Sequence, residues 1–216
     1  MSGSAKNTVR DSLSVALTVG AYGVAFGAAS VAAGFSVLQS CLFSLLTFTG
    51  ASQFAAVGVV ASGGAPLSAI AAATMLGTRN ALYGIQMAPL LRVRGLRRVT
   101  AAHLTIDEST AVATGAPPAL AGYGFWTTAF SVYALWNLAT LVGAVGAATL
   151  DPRRLGLDAA VGAAFLALLW PRLRAARSVA AGGMLLAAVA IPLTPPGVPV
   201  LVAGLAVLPA VLPGRR

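Results

Sequence analysis

Residues 50–91 read GASQFAAVGVVASGGAPLSAIAAATMLGTRNALYGIQMAPLL, and how they are taken decides the fold. One apolar run carries Gly50-Ala51-Ser52-Gln53, and the next holds Gly77-Thr78-Arg79-Asn80 near its middle, with no other charge within ten residues of Arg79 on either side. A guanidinium in hydrocarbon costs a few kcal/mol or more, so such a residue faces a protein interior or a wet cavity and has a partner. That partner has to come from elsewhere in the chain.

Outward from this stretch the composition is that of a membrane protein. Of the 216 residues 58% are hydrophobic and 9% charged, with a mean hydropathy of +0.87, against roughly 25% charged in soluble domains. About eight apolar stretches are separated by short connections, which leaves no room for a sizeable soluble domain. These features predict a single all-α polytopic membrane domain over residues 1–216, with about 7–8 transmembrane segments, several of them discontinuous or short, and residues 1–10 as a short N-terminal tail. The N-terminus has no persuasive small-residue cleavage site and reads as a retained first helix. A net charge of +9 raises the question of nucleic acid, but the arginines cluster at segment ends without interleaved aromatics. They read as topology signals and anchors to the lipid bilayer. Cys41 is the only cysteine and His103 the only histidine, so no disulfide, zinc site or cofactor is expected.

Segment 1 (Ser12 to Ala33) is dense in glycine, a pattern that lets helices approach closely or break. Segment 2 runs from an N-capping Ser36 to Val60 with Gly50 to Gln53 inside it; read as continuous it carries Gln53 past mid-membrane, and a break near Gly50 changes that depth. Segment 3 starts at Pro66, a suitable first helical residue, and Arg79 falls roughly 20 Å along it. Segment 4 (Val99 to Ala116) carries His103, Asp107 and Glu108. If it spans, the two carboxylates share the depth of Arg79 and are its acidic candidates in this half of the chain; read as one helix, it puts His103 and Asp107 on one face. Segment 5 (Tyr123 to Ala147) places Trp136 and Asn137 deeper than an aromatic belt. Segment 6 opens at Asp158 and closes at Trp170-Pro171, and segments 7 (Ser178 to Leu193) and 8 (Gly197 to Leu212) follow. The last three are short and flanked by proline, as in discontinuous transporter helices. Eight simple crossings split the basic clusters evenly between the two sides, so either the positive-inside rule fails or one or two segments are re-entrant.

Gly50-Ala51-Ser52-Gln53-Phe54, the run Arg79-Asn80-Ala81-Leu82-Tyr83-Gly84, the pair Asp107-Glu108, and Trp136 followed by Gly143 resemble the AzlC family. The similarity runs from about residue 11 to the end, strongest over 20–110 and mostly hydropathic after 150. Departures fall at Gly77 and Asn80, where the family usually has Asn or Asp and His, and at Ile106, which intervenes between Thr105 and the acidic pair. The resemblance implies the large subunit of a bacterial branched-chain amino acid exporter in the inner membrane, acting with a small AzlD-type membrane subunit.

An amino acid substrate of that kind is a zwitterion with an aliphatic tail. Its carboxylate needs a cation or free N–H groups, for which Arg79 or the backbone around Gly50 and Ser52 are candidates. Its ammonium, or a coupling proton, needs Asp107 or Glu108, with His103 a further proton-carrying candidate. Gln53, Asn80 and Asn137 complete the candidate binding set. Two other readings stay open: Arg79 and the acids form a structural ion pair in a subunit with no transport site, or Ser52 and His103 serve an intramembrane hydrolase, although Ser52 lacks the second glycine of a G-x-S-x-G turn.

Overall fold

In a computed structural model, which describes residues 3–149, 170 and 173–208, the described chain is helical without strands. Among the described residues two helices, α1 (Gly3–Ala32) and α7 (Ala121–Thr149), are long and apolar enough to cross a membrane. Between them lie α2 (Val37–Thr47), α3 (Ala51–Ala61), α4 (Pro66–Leu91), α5 (Leu96–His103) and α6 (Asp107–Gly115), and after them α8 (Arg177–Ala190) and α9 (Val198–Gly204). Residues 3–10, expected as a tail, form the first turns of α1. Asp158, Arg153 and Arg154, in and before the expected sixth segment, lie outside the described residues.

α1 and α7 form the backbone of the fold and run parallel, because their contacts climb together in residue number. Ser12 meets Thr128 through a buried hydroxyl bond of 2.9 Å, Gly20 lies on Leu135, and Gly27 lies on Thr140 and Ala144. Glycine is required in this seam: a Cβ on Gly27 would overlap the Thr140 carbonyl, and one on Gly143 would overlap the Val24 carbonyl. Without a hydrophobic drive between helices in lipid, such close backbone approach and buried hydroxyl bonds supply the association.

Two of the polar segments are broken, and each break turns the chain; the break near Gly50 is the one the sequence raised, whereas segment 4, expected as one helix, is interrupted at Leu104 to Ile106. α2 descends from the C-terminal end of α1, where Ser40 bonds Ser30, past Thr140 (bonded to Ser44) to Tyr133, whose hydroxyl donates to the Leu45 carbonyl. The backbone leaves helical geometry at Phe48 to Gly50, with Gly50 at φ +61. α3 then folds away from the line of α2 and packs along α4: the Gln53 amide reaches the Phe43 carbonyl at 3.5 Å, and Phe43 and Phe54 both pack on Phe26. In a straight helix residues 43 and 53 are about 15 Å apart, so α2 and α3 cannot be collinear. α4 is antiparallel to α3, with Gly77 beside Ser52, and with Ser68 and Val59 both against Gly197. It therefore descends like α2, toward the N-terminal end of α1.

α5 climbs from that end until His103 meets Tyr133, ring centroids 5.7 Å apart. α6 then drops back until Val112 packs on Gly124 and residues 111–117 face Ser4 to Asp11 across a cavity. Residues 104–106 separate α5 from α6, so the expectation that His103 and Asp107 share a helix face is corrected. Two re-entrant units thus flank one descending helix, and the basic clusters Lys6/Arg10 and Arg92 to Arg98 come to the same end of the molecule. Of the basic clusters that eight simple crossings would split, these two share a side; Arg153 and Arg154 lie outside the described residues.

Candidate functional site

The tips of the two re-entrant units, Phe48–Gly50 and Leu104–Ile106, meet at mid-height beside Arg79. Each tip closes its own backbone with the residue three positions into the returning helix. At the first, the Gln53 Oε1 accepts from Gly50 N–H (3.0 Å) and Thr49 N–H (3.4 Å). At the second, Ser109 Oγ accepts from Ile106 N–H (3.0 Å) and donates to the Leu104 carbonyl (2.9 Å). This is the reach-back half of a capping box, placed at breaks whose freed backbone groups are part-buried at the first tip and buried at the second. Gln53 is fully buried with both ends of its amide engaged, which makes it the stitch of the break.

Arg79 ties the tips together. Its guanidinium donates to Asp107 Oδ2 at 2.7 Å and reaches the Thr49 carbonyl at 3.5 Å, with side-chain exposures of 26% for Arg79 and 19% for Asp107. The partner sought for Arg79 is therefore Asp107, the first residue of α6, where a carboxylate also complements the helix N-terminus. Glu108 is half-buried one position further on.

A cavity of about 360 Å³ opens beside this pair, lined by Thr49, Ser52, Gln53, Asn80 and His103 and by apolar side chains including Phe43, Leu46 and Phe48. Its size lies within the range of small-molecule sites. Thr49 Oγ1, Ser52 Oγ and Asn80 Oδ1 are buried oxygens without a hydrogen-bond partner. Three such groups converging on one cavity are unusual in a folded protein, where buried polar atoms are paired. Gly77 borders the cavity too, and Ser52 Oγ would lie 3.4 Å from a Cβ there.

Of the residues singled out from sequence, Ser52, Gln53, Asn80 and His103 share the cavity, Gly50 caps α3 next to it, and Arg79 and Asp107 flank it as a closed pair. Asn137 is elsewhere: its amide donates to the Tyr133 carbonyl at 2.8 Å and it does not line the cavity. His103 packs on Phe48 and Tyr133 rather than on Ser52. The Ser52 hydroxyl has no partner, so the nucleophile–base bond of a hydrolase is not made. Thr49, Ser109 and Tyr133 escaped sequence reading; a hydroxyl within a residue or three of a helix break is the signal that could have found Thr49 and Ser109.

Apolar helices, a part-buried charge pair and two interrupted helices turned back into the interior define an integral membrane protein of the discontinuous-helix kind. The family model described as "AzlC protein" matches residues 14–150. The chain belongs to the AzlC family. It is 28% identical over 165 residues to the inner membrane protein YgaZ of Escherichia coli, covering 71% of this chain and 65% of that protein. It is also 27% identical over 150 residues to an uncharacterized membrane protein of Haemophilus influenzae, covering 68% of this chain and 62% of that one. The chain thus spans somewhat under two thirds of the length of these relatives. No solved structure matches it.

Proposed function

We propose that this chain is the large subunit of a two-component exporter that carries valine, leucine, isoleucine and, by the same apolar fit, methionine across the bacterial inner membrane, with a small AzlD-type membrane subunit as its partner. The observation that carries this reading is the cavity lined by Thr49, Ser52 and Asn80, whose buried oxygens lack partners. A zwitterion supplies the missing groups. Its carboxylate sits at the start of α3, where the first N–H groups have no helical acceptor, and its ammonium sits against Asn80 Oδ1 and Thr49 Oγ1. Phe43, Leu46 and Phe48 receive the aliphatic tail. Arg79 acts as a positioning residue that holds both tips, because its charge is already met by Asp107. Coupling to an ion or proton is assigned to Asp107, Glu108 and His103.

The test is counterflow of labelled amino acids in vesicles holding this chain with and without its small partner. Aliphatic amino acids are expected to exchange, and Ser52→Ala with Asn80→Ala to cut exchange about tenfold, corresponding to the loss of one or two hydrogen bonds to charged groups. Exchange indifferent to both substitutions overturns the site. Peptide or ester hydrolysis lost in Ser52→Ala would favour the hydrolase instead.

A further inference from the structure

The corner between α4 and α5 carries a second cavity, about 760 Å³, that the transport reading leaves unused. Its walls are apolar, with Ile85, Met87 and Leu91 among them, and its rim carries Arg92, Arg94 and Arg98. None of these guanidiniums is in an ion pair with a described carboxylate; the described ion pairs take Asp11 and Asp107 to Arg10 and Arg79. Arg92 ends α4 in the left-handed conformation, φ +50, and its Nε donates to the Pro89 carbonyl, which leaves the outer guanidinium nitrogens available.

α5 shows where this corner sits. Leu96 and Val99, three apart on one face, are 85% and 67% exposed, while Ala101 on the same short helix is buried. The first turn of α5, with Leu96 and Val99 exposed beside Arg97 and Arg98, therefore stands at the headgroup boundary of a bilayer before the helix climbs to its tip. Lys6 and Arg10 are at the same end of the molecule, so two of the chain's basic clusters gather there, the pattern of a cytoplasmic face rich in anionic lipid.

We infer that this corner is a binding site for an anionic phospholipid: Arg92, Arg94 and Arg98 hold the phosphate-bearing headgroup and the apolar wall of α4 takes the first part of an acyl chain. Charge complementarity selects the occupant. Three uncompensated cations over an apolar cavity fit a molecule with an anionic head and a hydrocarbon tail, and a zwitterionic lipid or a free anion satisfies only half of that description. The inference does not depend on what the transport cavity carries.

The experiment titrates the full chain in mixed micelles with tail-labelled phosphatidylglycerol, with tail-labelled phosphatidylcholine of the same chains, and with inorganic phosphate as competitor. Phosphatidylglycerol is expected to bind about tenfold more tightly than phosphatidylcholine. Arg94→Gln with Arg98→Gln removes that preference, Arg94→Lys with Arg98→Lys keeps most of it, and millimolar phosphate does not displace the lipid. Equal affinity for the two lipids, an unchanged preference in the glutamine variant, or displacement by phosphate overturns the site. If the double variant melts below the wild type, Arg94→Gln alone is read, where a loss of about threefold supports the site and no change overturns it.

Discussion

At Gln53 one amide oxygen accepts from two backbone N–H groups of a part-buried break, and replacing it by leucine removes the partner of both donors. The cost is about 1–3 kcal/mol for each orphaned group, so Gln53→Leu is expected to lower the melting temperature of the purified protein in detergent well below that of Ser52→Ala. Arg79 gives a different result. Its pair with Asp107 is partly buried, and Arg79→Ala frees a carboxylate while untying two tips, so transport is expected to fall at least tenfold at normal membrane levels. Restoring the pair in reverse, Arg79→Asp with Asp107→Arg, is expected to rescue folding more than transport, measured as melting temperature against counterflow. These residues were legible in the sequence because a lone charge in a long apolar run has to be answered, and Asp107 was one of two carboxylates near enough to answer it. Asn137 lies apart from the cavity, with its Oδ1 buried and without a hydrogen-bond partner. Its amide nitrogen finds an acceptor in its own helix, the Tyr133 carbonyl, which is why its depth in the sequence did not by itself place it at the cavity.

The glycine seam between α1 and α7 sets the scale of the element. Gly143→Val would drive a branched side chain into the Val24 carbonyl, and no rotamer relieves a clash with main chain. Loss of folded protein is expected from that substitution, whereas Gly146→Val, with open space at its Cβ position, is expected to express and melt as wild type. Helix density in glycine was plain from the sequence; which glycines face a neighbour was not, because that depends on pairing residues more than a hundred positions apart. The two breaks differ in the same way. Gly50 announces the first, since a positive φ favours glycine. The second, at Leu104 to Ile106, has neither glycine nor proline and is held by Ser109 and by packing of Leu104 and Ile106 in the core, forces no local pattern reveals.

For the whole molecule, the descending contacts make a prediction about sidedness. In a Cys41→Ala background, single cysteines at Ser4 and Arg97 are expected to react with a membrane-impermeant maleimide from one side, and cysteines at Gly34 and Gly63 from the other. Labelling of Gly63 together with Ser4 would mean that α2 and α3 cross in series, and the re-entrant arrangement would fall. Charge counts along the sequence raised this possibility without deciding it, because a hydropathy profile records how apolar a stretch is and not whether it returns.

Each tip also joins the carbonyl end of one half-helix to the amide end of the next, α2 to α3 and α5 to α6. The centre of the membrane therefore holds two balanced dipolar junctions, and the Arg79–Asp107 pair adds no net charge to them. A solute that is itself both positive and negative can trade places with water there without moving charge through the field. On the proposed exporter reading the solute step is blind to voltage, so counterflow measured under a potassium–valinomycin clamp is expected to be flat, with any steepness in net flux left to a coupling ion.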